Sequence, residues 1–376
     1  MTKIRALVVE DSVTVRRYLV DVLRASSELE VVAEAQDGKQ AIELCERLRP
    51  DVVTLDMMLP SLSGLAATEY IMAFCPTPIV IVSGSTNRGE VFKTYEALAA
   101  GAVDVLEKPL GDTFDGRWER RFVETVKLVS RVKVITHPRA RLRAATRDHV
   151  RPVACPPREP NRAYRCVAIG VSTGGPQALA TLLHQLPADF PLPLLIVMHI
   201  SPGFGEAFAS WLNDQSPIPV SAAIDGEALP PCGTPRVVLA PPDHHLIVRG
   251  GRLRLTRDPE VHSCRPAVDL LFQSVAHEIG EAAIAVLLTG MGRDGARGLL
   301  TVRNAGGMTL AQDEATSVVF GMPREAIQIG AAERVLPLDE VAPTLVSLAT
   351  ASQQTRDEHE TASSDRRRQP HGPHGS

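Results

Sequence analysis

The sequence predicts an α/β chain of two domains, each built on a parallel sheet and joined by a basic, proline-rich segment. Three observations carry that prediction. Short apolar runs alternate with amphipathic helical stretches in both halves, the pattern of right-handed βαβ units. Most of those runs end on polar or charged residues, as strands do at a ligand crevice. Between the halves lies a stretch with few large apolar side chains, too poor to build a core.

In chain order, residues 4–9 read as a strand closed by Glu10-Asp11-Ser12, followed by a helix with Val15, Leu19, Val22 and Leu23 on its apolar face. Val31–Ala35, Asp51–Leu55, Pro78–Val82 and Ala102–Leu106 read as further strands, and Gly38–Leu48 as a helix. The third strand ends on Asp56, the fourth on Ser83, and the fifth runs to Lys108-Pro109. From Arg117 to Arg151 the chain carries eleven basic and three acidic residues, against a net charge of −4 for the whole. Its first part, to about Val134, suits a helix closing the first domain. The expected division is 1–134 for that domain, 135–163 for the linker, 164–348 for the second domain and 349–376 for a disordered tail, since no Leu, Ile, Val, Phe or Met follows Leu348.

In the second domain, strands are expected at Cys166–Ile169, Leu194–Met198, Arg236–Leu239 and Ala283–Leu288, with a hairpin at Leu246–Val248 and Leu253–Leu255 turned by Gly250-Gly251. Helices are expected at Gln177–Leu186, Glu206–Asp214 and Val268–Ile279. The stretch V-A-I-G-V-S-T-G-G-P (167–176) places Ser172 on a glycine-flanked strand-to-helix turn. Such a turn aims backbone N–H groups and a helix dipole at whatever reacts there, and Gly170 to Gly174 fits the G-x-S-x-G nucleophile pattern. Alone the pattern is weak, because βα turns need glycine for steric reasons.

Composition sets bounds. Hydrophobic residues make up 44% of the 376 and charged residues 22%, which suits a soluble globular protein. No apolar run approaches the roughly 20 residues of a membrane helix, so no membrane insertion is expected. Six cysteines without a C-x-x-C pair and an N-terminus unlike a signal peptide suggest a reducing, cytoplasmic setting. The linker arginines lack aromatic interleaving or a recognition-helix pattern, so no nucleic acid is expected as a partner. His371 and His374 in the tail read as solvated, and His244-His245 lack matched metal-ligand spacing.

In the first domain, the adjacent Glu10 and Asp11 with Asp56 on another strand end repel one another, a conflict that a divalent cation relieves. An all-oxygen set suits Mg²⁺. Lys108 adds a point charge and Ser83 a hydroxyl for a phosphoryl group, and Asp56 can then serve as the acceptor.

Residues 1–115 resemble a response-regulator receiver domain, on V-V-E-D-S with Glu10-Asp11, T-L-D-M-M-L-P with Asp56, S-G-S with Ser83 and E-K-P with Lys108. The resemblance implies a flavodoxin-like (βα)5 fold whose Asp56 accepts phosphate from a chemotaxis-type histidine kinase with Mg²⁺ bound at Glu10, Asp11 and Asp56. Ser63 and Val105 depart from the usual aspartate and aromatic switch residue. The second domain resembles the catalytic domain of chemotaxis protein-glutamate methylesterases, on I-G-V-S-T-G-G-P (169–176), M-H-I-S-P-G-F (198–204), L-A-P-P-D-H-H-L (239–246), R-P-A-V-D-L-L-F-Q-S-V-A (265–276), L-T-G-M-G-R-D-G (288–295) and A-Q-D-E-A-T-S-V-V-F-G-M-P-R-E-A (311–326).

That resemblance implies a Ser172 nucleophile, a His199 general base and an Asp294 that orients it, with oxyanion donors expected near Thr173 and Met291. It implies no cofactor in the esterase site. Its substrates would be glutamate γ-methyl esters and glutamines of methyl-accepting chemotaxis receptors. The order Ser, His, Asp differs from the Ser, Asp/Glu, His of ordinary α/β-hydrolases. Met198 departs from a commonly polar position before the histidine. Two rival readings are a phospho-dependent binding module with a vestigial catalytic domain and a DNA-binding regulator; the second lacks a helix-turn-helix pattern.

Overall fold

A computed structural model describes residues 2–84, 88–108, 116–132, 134, 163–200 and 202–352. In the first domain β1 (Ile4–Val9), α1 (Val13–Arg24), β2 (Leu29–Ala35), α2 (Gly38–Leu48), β3 (Val52–Leu55), α3 (Gly64–Phe74), β4 (Ile79–Ser83), α4 (Arg88–Ala99), β5 (Asp104–Glu107) and α5 (Arg117–Val129) alternate as expected. The strands form one parallel sheet in the order β2-β1-β3-β4-β5. The order in which successive strands are added reverses between β1 and β3, which opens a crevice at their carboxyl ends. Local chemistry starts the helices. Ser12, Asp37 and Ser63 each cap a helix with a side-chain oxygen that accepts a backbone N–H. Ser63, where the resemblance leads one to expect aspartate, therefore has a structural task that serine performs as well as aspartate.

The second domain runs β6 (Cys166–Val171), α6 (Gly175–Gln185), β7 (Leu194–Met198), α7 (Gly205–Gln215), β8 (Val220–Ala222), β9 (Val237–Leu239), β10 (His245–Arg249), β11 (Arg252–Thr256), α8 (Val268–Glu278), β12 (Ala283–Leu287), α9 (Ala296–Asn304), β13 (Met308–Gln312), α10 (Met322–Gln328) and β14 (Arg334–Leu336). A last helix covers 338–352. Seven strands form a parallel sheet in the order β14-β13-β12-β6-β7-β9-β8, while β10 and β11 form a separate antiparallel hairpin. Gly250 and Gly251 both have positive φ, 59° and 67°, as the hairpin turn requires. β6 is buried throughout, so its apolar run is continuous instead of alternating.

The outer strands β8, β13 and β14 have no counterpart in the expectations. β8 and β14 are three residues long, below the length at which periodicity reads. The tail boundary also needs correction. The last helix continues to 352; Ala349 and Ser352 are buried, and the Ser352 hydroxyl donates to the Tyr164 carbonyl at 3.3 Å. Alanine packing, invisible to a count of large apolar residues, holds these four residues. The 135–162 segment and 353–376 lie outside the described residues. Among those described, no helix is long and apolar enough to cross a membrane, and the five cysteines are unpaired.

The domains touch. Tyr95 of α4 is fully buried, with its ring 5.1 Å from Phe208 and 5.5 Å from Trp211 of α7, and its hydroxyl donates to the Phe204 carbonyl at 2.8 Å.

Candidate active site and phosphoacceptor site

The three residues expected to cooperate in the second domain follow three neighbouring strands. Ser172 follows β6, His199 follows β7, and Asp294 lies in the loop after β12. Val171 pairs with Met198 in register, and the His199 N–H donates to the Val171 carbonyl at 3.2 Å. Ser172 and His199 therefore stand side by side, about 4.8 Å apart along the inter-strand direction. The serine turn is held by backbone: Ser172 N–H donates to Thr289 at 3.0 Å, and Gly175 N–H donates to the Ser172 carbonyl at 2.7 Å. Gly174 at φ 77° starts α6, and a Cβ there would meet Val318 at 2.5 Å.

Asp294 is 2% exposed and satisfied from several sides. Its carboxylate accepts the N–H groups of Val268 at 2.7 Å and Asp269 at 3.0 Å, the first turn of α8, and pairs with His199 Nε2 at 2.7 Å. α8 has no side-chain cap of its own, so Asp294 serves that end from 25 residues away and meets the positive end of the helix dipole. Burial alone would raise this carboxyl. The His199 bond and charge and the two amides outweigh it and hold Asp294 below the usual carboxylate range. For His199 burial opposes the charge, yet the bonds to Asp294 and Cys264 push it up to about 10.

A carboxylate only accepts, so it keeps a proton on Nε2 and makes Nδ1 the basic nitrogen of the neutral ring. Nδ1 faces the Cys264 sulfur at 3.6 Å. Among the described residues the Ser172 hydroxyl makes no hydrogen bond to His199. The structure thus joins His199 to Asp294 and leaves Ser172 adjacent and half-buried. A cleft of about 1010 Å³ opens over His199, Cys264, Met291 and Asp294 and is roofed by Leu128 and Val132 of the first domain.

Thr173 and Met291 flank Ser172 from two sides. Thr173 is buried and Met291 is 42% exposed. Gly290, just before Met291, has no room for a Cβ, which would lie 2.8 Å from the Ser172 Cβ. The Thr173 hydroxyl donates to Asp104 Oδ2 of β5 at 3.0 Å. Asp104, Tyr95, Cys264, Asp269 and His262 were not singled out by sequence for these places. Asp269 accepts the Gly298 N–H at 2.7 Å and pairs with His262 at 3.1 Å, so a second acid–histidine pair backs the first. An aromatic residue on a helix reads as core, and nothing local marks Asp104 as an interdomain contact. The His244 and His245 rings instead bond Arg257, Ala267 and backbone carbonyls.

In the first domain, Glu10, Asp11 and Asp56 come together with acid oxygens within 4.8 Å. Glu10 and Asp56 are buried and Asp11 is exposed. Lys108 Nζ pairs with Glu10 Oε2 at 2.7 Å and Asp56 Oδ2 at 2.9 Å. Burial, with Lys108 opposing and the Asp56 charge adding, lifts Glu10 to about 7. The acids, Lys108 and Ser83 meet as expected. Asp56 Oδ1 and Ser83 Oγ are buried without a hydrogen-bond partner among the described residues, a costly condition that a hard cation and phosphoryl oxygens would relieve. The residues fit Mg²⁺.

Residues 167–345 match the family model of CheB methylesterases, and residues 6–113 that of response regulator receiver domains. A protein-glutamate methylesterase/protein-glutamine glutaminase of Nitrosospira multiformis is 44% identical over 94% of this chain and 99% of its own. One of Myxococcus xanthus is 46% identical over 92% of this chain and 96% of its own. The solved CheB methylesterase catalytic domain of Thermotoga maritima is 39% identical and covers 49% of this chain and 98% of that one, with a TM-score of 0.47.

Proposed function

Because this chain belongs to the CheB methylesterase family and carries a receiver domain ahead of its catalytic region, we propose that it is a phosphorylation-activated serine hydrolase of chemotaxis-type receptors. It removes methyl groups from glutamate γ-methyl esters and deamidates glutamines. The observation that carries the reading is the His199–Asp294 pair at 2.7 Å, anchored on α8 beside the serine turn.

Ser172 is the nucleophile. Its oxygen bonds to the γ-carbonyl carbon while its proton passes to His199, whose imidazolium Asp294 stabilises. The Thr173 and Met291 amides serve the oxyanion. Collapse breaks the bond to the methoxy group, which leaves as methanol with the proton from His199. Water then attacks the acyl-enzyme by the same proton route and frees the glutamate carboxylate and Ser172. With glutamine, ammonia leaves in place of methanol.

In the receiver, Asp56 takes the phosphoryl group from a histidine kinase, and Glu10, Asp11 and Asp56 would hold Mg²⁺. When bound, the ion would supply charge neutralisation at the transferring oxygens. Lys108 and Ser83 bind those oxygens. β5 connects the two sites: Lys108 follows one end and Asp104, bonded to Thr173, begins the other, a span of about 13 Å over four residues. Drawing Lys108 to a phosphoryl group shifts β5 and loosens the Asp104–Thr173 contact, which frees the serine turn. Receptors are the substrates, and the enzyme works in the cytoplasm.

Methanol release from receptor-containing membranes, with and without a small phosphodonor, tests this. Asp56→Asn should keep the basal rate and lose activation; activation of that variant by the donor would remove Asp56 from the scheme. Tyr95→Ala deletes the buried interdomain anchor. A central interface aromatic is worth about 2 kcal/mol or more, so the unphosphorylated rate should rise at least severalfold toward the phosphorylated one. An unchanged basal rate would show that docking does not restrain the enzyme.

A further inference from the structure

Cys264 has no part in the reaction above, yet its sulfur meets the one nitrogen of His199 that the reaction needs. The contact is 3.6 Å to Nδ1. Nitrogen and sulfur bound to one zinc ion at about 2.0–2.1 and 2.3 Å with a tetrahedral angle lie about 3.6 Å apart, so the pair already stands at ligand spacing. Behind it, Asp294 holds Nε2 at 2.7 Å, the carboxylate–histidine arrangement that orients metal-binding imidazoles. His199, Cys264 and Asp294 form one group with donor atoms within 4.8 Å of one another, and His262, Asp269 and Asp294 form an adjoining one. The cleft over His199, His262 and Cys264 provides the way in.

We propose that His199 Nδ1 and Cys264 Sγ form a binding site for a borderline-soft divalent ion of the Zn²⁺ class. A nitrogen–thiolate pair prefers such ions over Mg²⁺, whereas the receiver cluster, made only of carboxylates, holds the hard cation. Binding forms one Zn–N and one Zn–S bond. It displaces the thiol proton and any proton on Nδ1 to water, with no change of oxidation state, and the open positions take water. An ion on Nδ1 occupies the lone pair that would accept the Ser172 proton, so the bound ion inhibits. That last consequence rests on the proposed role of His199; the site itself does not.

The test uses full-length protein stripped of transition metals in buffer with Mg²⁺. Co²⁺ titration should give a sulfur-to-cobalt charge-transfer band that saturates at one equivalent and is reversed by Zn²⁺. Cys264→Ala and Cys264→Ser should both lose it with the thermal midpoint unchanged, and the effect of zinc on each is read against that variant's own metal-free rate of methanol release. The receiver cluster has no sulfur and cannot produce the band. Saturating Zn²⁺ should slow the wild type by about 10²-fold, the weight of a general base, and leave both variants unaffected. No band, or an equal band in both variants, overturns the site. A band that requires Cys264 without inhibition upholds the site and counts against His199 as the base.

Discussion

Ser172→Ala is expected to reduce methanol release by a factor on the order of 10⁴–10⁶ while leaving the fold intact, as removal of a triad nucleophile does. The structure separates the two effects. The turn is held by the Ser172 N–H and carbonyl, bonded to Thr289 and Gly175, and neither bond involves the side chain. The hydroxyl makes no hydrogen bond among the described residues, so its loss strands no partner. The thermal midpoint should stay within a few degrees of wild type, consistent with a change well under 1 kcal/mol. Methanol release at wild-type speed would displace Ser172 as nucleophile and turn attention to Cys264, the thiol in contact with His199.

Asp294→Asn should cost both activity and stability. The comparable change in a serine triad lowers kcat about 10⁴-fold, because an amide permits the wrong histidine tautomer. Here the carboxylate also accepts two α8 amides and pairs with His199. An amide has one acceptor oxygen, so one of these buried donors loses its partner, at about 1–3 kcal/mol. The deficit should depend on pH. His199 is raised from 6.5 to about 10 in the folded protein, so the stability from its pairing is fully present below about pH 6.5. It is lost as pH rises through about 10. Asparagine removes the charge that raises His199, so the gap between wild type and variant should narrow from pH 6.5 to pH 10. Denaturation at the two pH values measures this. An equal gap at both would mean that the pair is not charged in the native state.

The sites were legible where the chemistry sits at strand ends. Glu10, Asp56, Ser83 and Lys108 each end an apolar run, and a parallel sheet gathers such ends at one edge, where Lys108 indeed bridges Glu10 and Asp56. Ser172 and His199 were placed in the same way. Asp294 was readable as a residue after a strand, but its capping of α8 was not, because the two segments are 25 residues apart and nothing in α8 announces a missing cap. The short edge strands β8 and β14 and the alanine-rich end of the last helix escaped notice for a related reason. Their stability comes from neighbours, which periodicity does not record.

The sequence by itself determined the two parallel α/β domains, the family and the residue types at each strand end, since alternation and local motifs are properties of contiguous chain. Only the tertiary structure decided who meets whom across the chain. It set Tyr95 under Phe208 and Trp211, bonded Thr173 to Asp104, and turned His199 Nδ1 toward Cys264. Those contacts join residues 65 to 116 positions apart, and their geometry is set by how two sheets and their helices pack, at distances over which local propensity carries no information.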